Sequence, residues 1–213
     1  MRNSKMKPIL LLMLSFLLLQ SCKTMMMKMY GIKNPEIENE QSIKKRALKY
    51  DLDTTNIVTV FDQRTATELS AIYGIPNAAI YDANGKYIEY RQTDTSCNAG
   101  LFQFIPDLSP TNTYNKPDST DLKGEWAKFR DMKGKTLGEV EKADFYVLIY
   151  WTVWTGKLNK DHVKIWEDLA KNNKNCKVKV IKVNLDLQEY WGIKDSEKVI
   201  VRLENKKKKK KSK

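Results

Sequence analysis

Seven consecutive residues, Phe145–Trp151 (FYVLIYW), most constrain how this chain can fold. The run is rich in apolar residues, lacks the alternation of a strand with one wet face, and has strand length rather than membrane-span length. Such a segment fits a strand buried on both faces, as in a parallel sheet covered by helices. The flanking pattern agrees. Leu158–Asn172 carries Val163, Trp166, Leu169 and Ala170 at helical spacing, and Val178–Asn184 (VKVIKVN) alternates as a strand. Leu187–Trp191 reads as a short helix stopped by Gly192, and Lys198–Leu203 (KVIVRL) as a further strand. Strand, helix, strand, helix, strand over residues 136–205 predicts a βαβ unit feeding a mixed sheet, hence an α/β protein.

Residues 41–105 carry a second α/β pattern. Ile43, Ala47 and Leu48 predict a helix over Gln41–Tyr50, and Asn56–Phe61 (NIVTVF) predicts a strand. Thr65-Ala66-Thr67-Glu68 is a capping-box sequence that opens a helix to Tyr73, and Gly74-Ile75-Pro76 stops it. Asn77–Tyr81 and Lys86–Arg91 flank Asn84-Gly85, the pair that best signals a hairpin. Cys97–Ile105 predicts a closing helix. Residues 106–135 hold Pro106, Pro110 and Pro117 amid polar residues and read as a connector, with a short helix around Glu125–Arg130.

The two ends of the chain are of another kind. Lys5 and Lys7 precede an apolar run, Ile9–Leu19, broken only by Ser15, and Leu19-Gln20-Ser21-Cys22 follows. A charged lead, a short apolar core and a small residue before a cut site describe a secretory signal over residues 1–21. Its last residues resemble the lipobox of bacterial lipoproteins, although Gln20 departs from the usual small or β-branched residue. That resemblance implies lipidation of Cys22, with a diacylglycerol on the thiol and a further acyl chain such as palmitate on the amine. Two or more chains anchor stably where one does not. Residues 22–40 then read as a tether, with the folded part beginning near Gln41. The formal charge of +12 sits mostly at the ends: Arg2, Lys5 and Lys7 supply three positives, and Lys206–Lys211 with Lys213 supply seven. Taking those ten away leaves +2, so the basicity is no sign of a nucleic-acid-binding surface, and no nucleic-acid module is present. Residues 206–213 lack any core-forming side chain and read as a disordered tail.

Few residues here suit catalysis. Cys97 and Cys176 would occupy a compartment that permits disulfides, so they either pair, lie inert, or offer Cys97 as a reactive thiol. His162 is the only histidine, and two isolated cysteines make no zinc motif, so no metal or other cofactor is expected. On its helix His162 caps or flanks the core rather than serving as a general base.

Tyr150-Trp151-Thr152-Val153-Trp154-Thr155-Gly156-Lys157-Leu158-Asn159 resembles the active strand and turn of the thioredoxin family, F-W-A-x-W-C-G-P-C-K, keeping both tryptophans and the glycine. Val178–Asp186 and Tyr190-Trp191-Gly192-Ile193 are similar to that family's next strand and the approach to the one after, so the resemblance covers roughly residues 140–204. It implies a thioredoxin-like mixed sheet flanked by helices. It also implies lost chemistry. The two family cysteines fall on Thr155 and Leu158, the buried acid on Ile149 and the cis-proline on Glu197, so neither thiolate nor disulfide can form at the turn. The first half is similar to the later part of the same fold, with Pro76 at the cis-proline position and Tyr73-Gly74-Ile75 mirroring Tyr190/Trp191-Gly192-Ile193. Either two degenerate units stand in tandem, or one fold is assembled from both halves.

These readings favour binding over enzymatic activity. The expected protein is an envelope lipoprotein held to the membrane through Cys22, whose Trp151, Trp154, Thr155, Gly156 and Lys157 form a turn for an envelope protein or peptide. Trp151 and Trp154 are either part of that surface or simply core. No acidic cluster follows Cys22, which makes the periplasmic face of the outer membrane the default location. Two alternatives stay open: thiol-disulfide exchange at Cys97, with Cys176, and a protective, immunity-type lipoprotein.

Overall fold

A computed structural model of the chain describes residues 25, 27–91, 93 and 97–193. Cys22, Glu197, the strand expected over Lys198–Leu203 and the lysine tail lie outside the described residues. In chain order the elements are β1 (Ile37–Glu38), α1 (Glu40–Lys49), β2 (Ile57–Val60), α2 (Gln63–Tyr73), β3 (Asn77–Asp82) and β4 (Tyr87–Ile88). Then come α3 (Leu101–Phe104), α4 (Leu122–Trp126), β5 (Phe129–Arg130), β6 (Phe145–Trp151), α5 (Ile165–Lys171), β7 (Val178–Asn184) and β8 (Leu187–Gln188).

Six of the strands form one mixed sheet in the order β4-β3-β6-β7-β2-β5. All seven residues of β6 are buried. Its partners are β3, antiparallel with Asn77 opposite Tyr150 and Asp82 opposite Phe145, and β7, parallel with Phe145 beside Val178 and Trp151 beside Asn184. The twofold period of a strand then sorts its side chains into two cores. Phe145, Val147, Ile149 and Trp151 pack under α1, α3 and the helix before β7, through Ile43, Leu101, Val163 and Trp166. Tyr146, Leu148 and Tyr150 pack on the other face under α2 and α4, through Leu69 and Leu122. Because β3 and β6 are neighbours, the sheet is drawn from both halves of the chain rather than split between two units.

Several expectations shift in detail. α2 starts at Gln63, capped by Asp62, whose carboxylate accepts from Thr65 N–H at 2.8 Å. Thr65 is therefore inside the helix, because the acid three residues earlier takes the free amide. In the hairpin only Gly85 has positive φ, 77°, and Asp82 accepts from the amides of Asn84 and Lys86, so the acid as well as the Asn-Gly pair makes the turn. The helix expected over Glu125–Arg130 lies earlier, at Leu122–Trp126, and Phe129–Arg130 is instead an edge strand pairing with Val60 and Thr59. The helix over Leu158–Asn172 is π-helical at Asn159–Lys164 before α5. His162 there stacks edge-on against Phe102 and Trp166 and flanks the core. Leu187–Gln188 is a strand rather than helix, leaving a 3-10 turn over Glu189–Trp191.

The largest difference lies before Gln41. Residues 27–30 are helical, and Ile37–Glu38 pair in parallel with Leu187–Gln188. Residues 27–38, read from sequence as tether, form a strap laid across the end of the sheet, so the ordered fold begins well before Gln41.

Candidate functional site

β6 ends at Trp151, and a 3-10 turn over Val153–Thr155 leads to the helix beginning at Asn159. Neutral side chains brace this turn from within. Thr155 Oγ1 and Asn159 Nδ2 each donate to Thr152 O at 2.8 Å, and Thr155 Oγ1 lies 3.1 Å from Asn159 Oδ1. Thr155 is 2% exposed, and Leu158 is half-buried. Neither can supply a thiol, so the turn offers no sulfur nucleophile.

The strap closes over this turn through its backbone. Lys33 N–H donates to Trp154 O at 3.0 Å, and Lys157 N–H donates to Tyr30 O at 2.7 Å. Gly156 makes the approach possible. It sits at φ 64°, and a Cβ there would lie 2.2 Å from Tyr30 O. Only glycine suits both the dihedral and the contact.

An acid that the sequence pattern did not single out lies under the turn. Asp186 follows β7 by two residues and is 1% exposed. Its Oδ2 accepts from Val153 N–H and Asn184 Nδ2, both at 2.7 Å, while Oδ1 has no partner among the described residues. Burial is the main cause that pushes its pKa up to about 7; the nearby Glu38 carboxylate adds to it, and the accepted hydrogen bonds oppose it. Gln188 Nε2 donates to Asn184 Oδ1 and Asp186 O, completing a buried polar cluster. The acid position anticipated on Ile149 is fully buried in the apolar core. Asp186 could have been suspected as a carboxylate next to a buried strand; that the turn folds back over it, with Val153 N–H on its Oδ2, is not announced by the sequence.

The expected site residues distribute as follows. Trp151 is fully buried and belongs to the core, whereas Trp154 is half-buried and Lys157 exposed at the strap. Pro76 is buried, follows a cis peptide bond and precedes Asn77, the residue opposite Tyr150. That register brings Pro76 to the same end of the sheet as the turn. Its carbonyl accepts from Asn98 Nδ2 at 2.8 Å. Cys97 and Cys176 are both free thiols. Cys97 is exposed and lines a recess of about 790 Å³ with Tyr90, Arg91, Phe104 and Tyr114. Cys176 is half-buried, with its sulfur 3.3 Å from Leu108 O, and burial raises its pKa.

A second recess, of about 180 Å³, opens between strap and turn. Lys33, Arg46, Lys49 and Lys157 line it with Tyr30 and Trp154, and Glu36 and Glu38 also border it. Among the described residues no group of three or more His, Cys, Asp or Glu could hold a metal ion, and no helix is long and apolar enough to cross a membrane. No family model, no curated protein and no solved structure matches this chain.

Proposed function

We propose that this is a lipid-anchored envelope protein with a redox-inactive, thioredoxin-like domain that binds an extended protein segment at the Thr152–Leu158 turn. Cys22 carries the acyl chains, and the fold faces the periplasm. The thioredoxin-like reading is supported by the position of β6 between antiparallel β3 and parallel β7, with the tryptophan-rich turn at its end and Pro76 just before β3. In this reading the fold is assembled from both halves of the chain. Its turn has threonine and leucine where thiol exchange needs cysteines, so recognition is what the scaffold retains.

The observation that carries the binding role is the strap. The strap already holds the turn by two backbone hydrogen bonds and pairs two residues in parallel with β8, the kind of backbone pairing by which sheet edges take peptides in general. A partner segment reaches the turn by displacing residues 27–38, so binding and strap release are coupled. Lys33→Pro removes the amide that donates to Trp154 O and should loosen the strap. A labelled peptide with the sequence of residues 27–38 should then bind the full-length Lys33→Pro protein, read by fluorescence polarisation, and adding Gly156→Ala should abolish that binding. No peptide binding by a folded Lys33→Pro protein would end this reading.

A redox alternative keeps one observation in its favour: the Cys97 thiol is exposed beside Arg91 in the larger recess. Cys176, half-buried with a raised pKa, is a poor resolving partner.

A further inference from the structure

The recess between strap and turn gathers positive charge from three separate stretches of chain. Lys33 comes from the strap, Arg46 and Lys49 from α1, and Lys157 from the turn. None of the four belongs to an ion pair among the described residues. Two carboxylates border the same recess. Glu38 is 6% exposed and lies beside Gln188, while Glu36 is exposed, so the cations outnumber the acids four to two.

In the stretch of chain just before Lys33 the protein exposes large apolar side chains. Met25 is 71% exposed, Met29 55% and Met27 37%, all in the short helical segment that leads into the strap. Tyr30, which follows Met29 in the chain, and Trp154 are aromatic groups with one polar end that line the recess together with the lysines. Flexible apolar side chains, aromatic rings and unpaired cations in one neighbourhood are what a membrane interface selects.

The chain itself sets the distance. Cys22 and Met25 are three residues apart, a reach of at most about 10 Å even if fully extended. A chain anchored at residue 22 therefore holds this end of the fold within about one Debye length of the lipid headgroups.

We propose that the recess lined by Lys33, Arg46, Lys49 and Lys157 takes the phosphate of an anionic phospholipid headgroup, with Met25, Met27 and Met29 laid into the lipid interface beside it. This inference rests on the membrane-anchored reading above and adds to it an orientation. The recess is too small for a drug-sized ligand and suits a headgroup fragment. Docked this way, the strap and the turn beneath it face the bilayer, and a partner segment approaches along the membrane surface.

The test uses the full-length protein in nanodiscs made of phosphatidylcholine, with or without phosphatidylglycerol. Hydroxyl-radical footprinting and peptide mass spectrometry follow oxidation of Met25, Met27 and Met29, with the partly buried Met132 as internal reference. At low salt, oxidation of the three methionines should fall about tenfold in the anionic discs relative to the neutral ones. Replacing Lys33, Arg46, Lys49 and Lys157 together with glutamine should return it to the neutral-disc level; none of the four is buried, so the fold should survive. Equal oxidation in both kinds of disc overturns the proposal, as does protection that persists in the fourfold variant, which would assign it to Lys206–Lys213. Protection by inorganic phosphate added to neutral discs overturns the lipid as the source of the phosphate. The mass of the N-terminal peptide reports Cys22 acylation separately. Protection without an acyl group supports this docking face and refutes the lipid anchor; acylation without protection does the reverse.

Discussion

Two buried acids, one on α5 and one just after β7, meet opposite fates. Glu167 and Asp186 are each 1% exposed, yet only Glu167 is given a cation. On the face that α5 covers, Glu167 Oε1 meets Lys182 Nζ at 2.5 Å and Lys171 Nζ at 3.2 Å, and its other oxygen accepts from Asp53 N–H. Lys182 is itself 1% exposed, and its desolvation lowers its pKa against the pull of Glu167. Under the turn, Asp186 accepts hydrogen bonds from amide groups among the described residues, and the Glu38 carboxylate repels its charge. A buried acid matched by a buried base has its charge balanced where it sits. One matched by dipoles alone is left to respond to protons, and here it lies beneath the turn that the strap covers.

The sharpest break of this contrast is Glu167→Ala. It would strand Lys182 in the core, and the cost should be about 3–5 kcal/mol in urea or thermal unfolding. The double replacement Lys182→Met with Glu167→Leu should recover most of that loss, since removing both charges also removes both desolvation penalties. A double variant as unstable as the single one would mean that the pair does more than cancel its own burial.

The Asp186 side of the contrast is read through pH. Its folded pKa, about 7, stands above the ordinary carboxylate value of 3.8. Below about pH 4 the folded and unfolded chains both carry the proton, and above pH 7 neither does; between these limits only the folded chain holds it. Stability should therefore fall as pH rises from about 4 to 7, by on the order of 4 kcal/mol in all. Asp186→Asn keeps the acceptor for Val153 N–H and should flatten that slope, leaving the variant more stable than the parent above pH 7. Carboxylates held low by lysine hydrogen bonds, such as Asp53 by Lys171 and Glu141 by Lys177, act below this window and do not blur it. Equal slopes for parent and variant in urea titrations from pH 4.5 to 8 would remove Asp186 as the responsive group.

Physical reasons separate what was legible in the sequence from what was not. Phe145–Trp151 and Val178–Asn184 are placed to the residue, because each is a run of strand length rich in apolar and β-branched residues, too short and too apolar for a surface helix. The start of α2 was misread because two caps compete within four residues, and the choice between Asp62 and Thr65 is made by local geometry. Phe129–Arg130 became an edge strand because β2 had a free side to pair, a fact about residues 70 positions away. The strap was the least legible element. Its hydrogen bonds run from backbone to backbone and its partners, Trp154, Lys157 and β8, lie more than a hundred residues on, so nothing in its own composition of Met, Lys and Pro announces them. Without the strap, the meeting of Lys33 with Arg46, Lys49 and Lys157 could not be inferred either.

The smallest effect sharpens the comparison most narrowly. Thr155 belongs to the turn that lies over Asp186 and carries no charge, donating with Asn159 to Thr152 O. Thr155→Ala deletes that hydroxyl but leaves the Asn159 donor in place, so the loss should be about 1 kcal/mol, the usual worth of one buried neutral hydrogen bond. Unlike the Asp186 effect, this loss should be the same at pH 5 and at pH 8, because nothing in the Thr152–Thr155–Asn159 set titrates there. The substitution should also leave any thiol-disulfide exchange by the protein unchanged, since no thiolate disappears. A Thr155→Ala penalty that grew with pH would tie the neutral network to the Asp186 proton and make the polar floor of the turn one coupled unit. Reductase activity that depended on Thr155 would refute the reading of this turn as chemically silent.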